Sequence, residues 1–411
     1  MLRNWAGNIT FGTDRLHTPR TVDELQHLVA TTGRVRALGT GHSFNRIADS
    51  TADLVSVREL DVPIVIDAGN RTVEVGGGTR YGELSGELQR HGWALHNLGS
   101  LPHISVAGAC ATGTHGSGEA NRCLAAAAVA VEFVRGDGEL VRVDKTDESF
   151  GGCVLALGAL GIVTRLTLAI EPSYEMRQDV QLDVPLATAT DRLFEILGAG
   201  YSVSMFTTWA RPDVIDQIWV KSRTDRPLVD GRSWGGRAAQ AAQHPIIGQD
   251  GATATQQLGV PGPWNERLPH FRMEFTPSNG DEQQSEYLLP REHGPAALQA
   301  LRGLDLSAAL QVCEVRAIAA DELWLSPCHG RDTVALHFTW FDDDALVQPA
   351  VAALEEALAP FDARPHWGKV FQADPRPHYP RLAEFAALCA RYDPDRRFGN
   401  DFVERYVYLA P

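Results

Sequence analysis

RALGTGHSFN, residues 36–45, is the stretch on which the fold turns. A short extended run, Arg34 to Leu38, leads straight into Gly39, Gly41 and His42. Glycine tolerates positive φ and lets the backbone approach a ligand closely, so N–H groups can converge on phosphate oxygens. A second stretch, SLPHISVAGACATGTHGSG at 100–118, adds Gly108, Gly113, Gly116 and Gly118 among serines and threonines. Either loop alone would ordinarily be a turn. Two in one region point to a diphosphate cofactor.

Neither loop carries a standard nucleotide fingerprint. Gly39-x-Gly41-x-x-Phe44 lacks the third glycine of the Rossmann pattern and no acidic residue follows in a βαβ unit. Gly368-Lys369 has no glycine five residues earlier and precedes valine, so it is not a phosphate-binding P-loop. His115-Gly116-Ser117-Gly118 puts histidine where a nucleophile elbow needs glycine. The 14 histidines include no H-E-x-x-H or similar cluster, and no metal is expected.

Working outward, Thr21 to Glu24 is a capping box opening a helix with Leu25, Leu28 and Val29 at helical spacing. Thr72 to Val75 reads as a strand stopping at Gly76-Gly77-Gly78, followed by a helix with Tyr81, Leu84 and Leu88 on one face. LGALGIVTRLTLAIEP, 157–172, reads as an apolar strand pair closing at Pro172. The middle of the chain offers strand patterns at 214–223, 271–275 (FRMEF), 311–318 and 333–341. Helices are expected at 296–302, 350–358 and, in the tail, 380–392. Residues 229–263 show no period and read as a long irregular excursion. The fold class is α+β, without internal repeats.

Two middle strands carry the second signal. In an extended chain, alternate side chains share a face. Glu314 and Arg316 then lie with Val312, opposite Cys313, Val315 and Ala317. His337 and Thr339 lie together, opposite Leu336, Phe338 and Trp340. On spacing alone this is the solvated side of an antiparallel sheet; the functional reading is a pocket rich in hydrogen-bonding groups.

Composition narrows the partners. The chain of 411 residues has 44% apolar residues and a formal charge of −15. It has no basic cluster, which argues against nucleic acid. No stretch is long and apolar enough to span a bilayer, and the N-terminus lacks a secretory apolar core, so a cytoplasmic protein is expected. The six cysteines form no C-x-x-C pair and read as reduced apolar fillers, Cys110 included.

RALGTGHSFN resembles the flavin-linking motif of the vanillyl-alcohol-oxidase (PCMH) type of FAD-binding domain, and 100–118 resembles the second flavin loop of its sugar-1,4-lactone and alditol oxidase branch. FTPSNGDEQQSEYLLPRE, CEVRAI, GRDTVALHFTW and RPHWGKVF are similar to alditol oxidases, in order, between Asn4 and Val403. The resemblance implies a PCMH-type FAD domain of two α/β subdomains over 1–172. A substrate domain on a mainly antiparallel sheet with flanking helices would cover 173–370, and 371–411 would return to the FAD domain. FAD would be held covalently through His42, with contacts from Ala37, Leu38, Gly39, Thr40, Gly41 and Ser43. The second loop and its neighbours would add Ser100, Ser105, Gly108, Thr112, Gly113, Thr114, His115 and Val163. Ser100, Gln284, Glu314, Arg316, His337, Thr339 and Lys369 would bind substrate.

The implied reaction is oxidation of a terminal hydroxyl of a polyol such as xylitol or sorbitol, with O2 reduced to H2O2. Hydride would pass to flavin N5, Arg316 and Lys369 would stabilise the alkoxide, and Glu314 between them would accept a hydroxyl or its proton. Gly99, where relatives tend to carry alanine, would leave a path for O2. The alternative is a sugar-1,4-lactone oxidase or dehydrogenase of the same fold. A monomer is expected.

Overall fold

The computed structural model describes residues 1–227, 231–275 and 281–408. Parts of three expectations lie outside them: residues 229–230 of the irregular stretch, 276–280 of the FTPSNG segment, and the last three residues of the tail.

Three main sheets organise the described residues, beside a two-stranded pair of Trp93–Ala94 with Glu171–Pro172. The first is parallel and three-stranded, with Asp53–Val55 between Leu16–His17 and Val35–Ala37. Its last strand delivers the chain into the Gly39–Ser43 loop. The helix before it, Val22–Thr31, starts as its sequence demands: the Thr21 hydroxyl accepts from the Glu24 N–H at 3.1 Å. The second sheet is antiparallel, in the order Val65–Asp67, Thr72–Gly76, Ile162–Ala169, Ala128–Val134, Leu140–Asp144. The helix Tyr81–Arg90 buries Tyr81, Leu84 and Leu88 beside it. These two small units form the FAD-binding part of a PCMH-type fold.

The expected strand pair at 157–172 is one long strand, Ile162–Ala169, and a two-residue strand, Glu171–Pro172, which pair with other partners and not with each other. Leu157 and Gly158 take φ of 52° and 67°, a turn that no strand can contain. Leu155, Leu157 and Leu160 are buried all the same, so apolarity without period misled the reading.

The third sheet has nine antiparallel strands. At its centre Leu310–Ile318 pairs with Ser202–Thr207 and Thr333–Phe341, and Glu282–Pro290 follows beyond Thr333–Phe341. One face is covered by the helices Leu186–Asp191, Leu193–Leu197, Gly294–Arg302 and Asp344–Leu358, against which Cys313, Val315, Ala317, Leu336, Phe338 and Trp340 pack. Asp344–Leu358 is capped by Asp343 and buries Val347, Val351, Leu354 and Leu358, a 4-3-4 spacing that puts all four on one face. Each such side chain contributes about 1.5–3 kcal/mol when buried. The opposite face of the sheet carries Glu314, Arg316, His337 and Thr339 towards the FAD-binding part. The alternation read from sequence therefore holds on both strands.

FRMEF is not a strand. Phe271 makes a single bridge to Ala254, and the Phe275 N–H donates back to Arg272 O, closing a turn. Its true counterpart in the sheet is Glu282–Pro290. Glu175–Pro185 and Ser202–Thr207 are further strands that the sequence did not announce.

The tail returns to the first core, where Trp367, Tyr379, Phe385 and Phe402 are buried. Arg36 clasps the return. Its guanidinium donates to the carbonyls of Ile47, Leu157, Gly158 and Phe398, drawing together segments 362 positions apart. Burial lowers Arg36 to about 10.

Candidate active site

A cavity of about 650 Å³ lies between the glycine loops and the polar face of the nine-stranded sheet. That volume suits a ligand of cofactor or substrate size. Its two walls are built differently.

The loop wall is largely backbone. The N–H groups of Gly39, Thr40, Gly41, His42 and Ser43 donate to nothing among the described residues. Gly39 is exposed and Thr40 to Ser43 are half-buried, so the run opens its donors to the cavity, where a diphosphate could accept from them. Gly41 sits at φ 72°, where a side chain would strain the backbone. A Cβ on Gly39 or on Gly108 would meet the same Ser105 hydroxyl at 2.8 Å, so only glycine lets the two loops touch there. Val57, Ile104, Leu160 and Val163 add an apolar lining. Free N–H groups for a diphosphate beside apolar surface for flat rings fit FAD.

His42 lies in this wall, its ring stacked on Trp5 at 5.0 Å and its Nδ1 2.9 Å from the Thr40 hydroxyl. Burial, then the neighbouring His103, lowers it to about 4, so the imidazole is neutral at physiological pH with one nitrogen lone pair available.

The sheet wall is a network of charged side chains. Lys369 Nζ stands 2.7 Å from Glu286 Oε2, and Arg316 donates to Glu286 Oε1. His115 Nε2 is 3.3 Å from that same oxygen. On the other side of Arg316, Glu314 Oε2 lies 3.6 Å from its Nε and 3.4 Å from His337 Nδ1. His337 Nε2 meets Gln284 Oε1 at 3.1 Å. Arg316, Glu314 and Glu286 are all less than 5% exposed.

Burial alone would raise both carboxyls. At Glu286 the charges of Lys369 and Arg316 outweigh it and hold the group well below the usual range. At Glu314, Arg316 and His270 do the same. Burial lowers Lys369 against the pull of Glu286, and burial followed by Lys369 lowers His337 to about 4. At neutral pH both carboxyls are therefore ionised and His337 is a neutral imidazole.

The sequence-predicted residues converge with one exception. The residues named for FAD and for substrate border the cavity, but Gly113 does not. Gly113 ends the helix Val106–Thr112 in a left-handed conformation, φ 77°, and a Cβ there would meet Leu155 and Pro327. It shapes the loop without facing the cavity.

The carboxylate between Arg316 and Lys369 also differs from expectation: it is Glu286, not Glu314. Alternation along Glu282–Pro290 would have found it, since Glu282, Gln284 and Glu286 share a face. His270, 2.8 Å from Glu314 Oε1, was missed as well and has no local signal, because it lies in a loop. All six cysteines are buried and unpaired. No helix among the described residues is long and apolar enough to cross a membrane.

Known proteins give the same picture. Residues 13–144 match a family described as FAD binding domain, and 279–406 match D-arabinono-1,4-lactone oxidase. Solved cholesterol oxidase structures superpose with a TM-score of 0.80 over 98% of this chain and 96% of theirs at 15% identity, a likeness of fold alone. An L-gulono-1,4-lactone dehydrogenase from Mycobacterium tuberculosis is 28% identical over 98% of both chains. An alditol oxidase from a Streptomyces species is 52% identical over 409 residues, 97% of each chain. A likeness of that depth along almost the whole length makes this chain a member of the alditol oxidase family of FAD-binding oxidoreductases.

Proposed function

We propose that the protein oxidises the terminal primary hydroxyl of alditols such as xylitol and sorbitol to the aldose, with FAD held covalently through His42. The observation that carries this reading is the buried Glu286 bridging Lys369 and Arg316, across the cavity from a loop with five free N–H groups. Lys369 and Arg316 supply positive charge in a dry site, where it acts most strongly on a developing alkoxide. Two carboxylates hold those cations in place, so the site is preorganised and does not itself attract an anion strongly. That balance suits a neutral, hydroxyl-rich substrate.

Glu314, kept ionised by Arg316 and His270, takes the hydroxyl proton. Ser100, Thr339 and Gln284 both donate and accept, and so can pair with successive hydroxyls. FAD, when bound, would supply the hydride acceptor, with O2 as the terminal oxidant and H2O2 as the co-product. The neutral ring of His42 supplies the nitrogen for the flavin link. The reading divides the chain at residues 172 and 370, and has the enzyme working as a cytoplasmic monomer.

The test begins with the visible spectrum before and after acid precipitation. Yellow colour that stays with the precipitated chain, and is absent in His42→Ala, is the expected result. Colour released to the supernatant would refute the covalent link. Peroxide formation is then measured on xylitol, sorbitol and an aldonolactone. Turnover of the lactone in preference to the polyols would transfer the enzyme to the lactone oxidases.

A further inference from the structure

Behind Glu314 lies a pair of groups that the reaction above leaves without a task. Lys221, on the strand Val214–Arg223, is 1% exposed and does not border the cavity. Its ammonium donates to Leu268 O at 2.6 Å and Pro269 O at 2.9 Å, and lies 3.1 Å from His270 Nδ1. An ammonium has three donors and no acceptor, so these three partners use it fully and His270 Nδ1 must accept. The proton of a neutral His270 is thereby on Nε2, which faces Glu314 Oε1 at 2.8 Å. A carboxylate only accepts, so the Nε2–H donates to it.

The ring cannot swing away. It is held edge-on by Phe206 and Trp219, and its backbone N–H donates to Ser100 O at 3.1 Å. The charged groups facing His270 are Lys221, Glu314 and Arg316; His337 stands against the other oxygen of Glu314.

We infer that Lys221 is a positioning residue for the oxidation: as an ammonium it locks the tautomer of His270 so that the imidazole presents Nε2–H to Glu314. This rests on the polyol oxidase reading and names a function for residues beyond the substrate's reach. A neutral imidazole without that lock has a competing arrangement. With Lys221 gone, the carbonyls of Leu268 and Pro269 are left without its donors. His270 then gains by moving its proton to Nδ1 and donating there, leaving a bare Nε2 lone pair against the Glu314 carboxylate. A doubly protonated ring escapes the conflict, since both nitrogens donate. Burial, then the charge of Lys221, lowers His270 to about 4, so the imidazole is neutral and the lock matters at every pH above that. Burial lowers wild-type Lys221 to about 7; a neutral amine spends its two N–H bonds on the Leu268 and Pro269 carbonyls and turns its lone pair to Nδ1, which must then carry the proton, so the lock holds below about pH 7 and releases above it.

The test compares kcat/KM for xylitol in wild-type holoenzyme and Lys221→Met between pH 5.5 and 8.5. The expected result is a ratio of about tenfold or more at pH 5.5 that falls towards unity by pH 8.5 as wild-type Lys221 loses its proton, with flavin content unchanged. In Lys221→Met/His270→Gln the amide donates to Glu314 at every pH, so the loss at pH 5.5 should be recovered. A ratio constant across pH, however large, would make Lys221 a packing residue and overturn the inference. If Lys221→Met does not fold, His270→Leu and His270→Gln decide. The leucine variant should raise the apparent pKa of the acidic limb and the glutamine variant should not; identical profiles would overturn the inference. Wild-type enzyme that fails to oxidise xylitol at any pH would instead refute the function on which it rests.

Discussion

The two walls of the cavity recognise their ligands by opposite means. The loop wall, Gly39 to Ser43 with the stretch around Ser105 and Gly108, offers main-chain N–H groups that glycine leaves exposed. The sheet wall offers side chains, and what counts there is their charge and register: Glu286 against Lys369 and Arg316, Glu314 against His270 and His337. Backbone recognition tolerates sequence change wherever the conformation survives. Side-chain recognition in a dry site does not, because every group removed strands a partner.

The largest expected effect follows from breaking the sheet wall at its bridge. Glu286→Gln leaves Lys369 and Arg316 facing a neutral amide at a position that is 2% exposed. Stranding a buried charge in this way costs about 3–5 kcal/mol, which urea unfolding should register, and kcat/KM for xylitol should collapse with it. A loop-wall counterpart sharpens the contrast: Gly41→Ala, at φ 72°, pays only the left-handed backbone penalty of about 1–2 kcal/mol. If the two variants lose equal stability, the walls are not held by different physics.

Lys369→Ala should come next. It removes one stabilising donor while Arg316 still satisfies Glu286, so the fold survives and the loss falls on chemistry. A fall of about 10²-fold or more in kcat/KM is expected, the size associated with one lost stabilising group. Steady-state kinetics with unchanged urea unfolding would support that division. Unchanged kinetics would remove Lys369 from the reaction.

The same contrast explains what could be read in advance. The loop wall was legible because glycine spacing is local: Gly39, Gly41 and His42 stand within four positions. Half of the sheet wall was legible because alternation within Leu310–Ile318 and Thr333–Phe341 sorted Glu314, Arg316, His337 and Thr339 onto one face. Local pattern could not say which strands are neighbours. Glu286 meets Arg316 across 30 positions through the register of the sheet, and His270 meets Glu314 across 44 from a loop. Glu175–Pro185 escaped because Gln178, Asp179 and Gln181 look like loop residues. In the structure Gln178 is buried and donates to Thr255 O. FRMEF erred the other way: its alternation is good, but among the described residues it finds only the single bridge from Phe271 to Ala254, and Met273 and Phe275 are left exposed.

The smallest expected effect on the protein itself comes at Gly99, where the walls meet beside Ser100. A Cβ there would find Thr114 Cγ2 at 3.6 Å and Ile104 Cδ1 at 3.7 Å, ordinary contacts on a backbone without positive φ. Gly99→Ala should therefore change stability by no more than about 0.5 kcal/mol and leave the anaerobic reduction of the flavin by xylitol intact. What the methyl group does take is space bordering the cavity, in which a small apolar molecule such as O2 could travel. Reoxidation by O2 should slow while turnover with an artificial electron acceptor is preserved, and stopped-flow measurement of the two half-reactions separates these directly. An unchanged oxygen rate would mean that O2 reaches the flavin elsewhere, and Gly99 would then be a residue of shape alone, like Gly113.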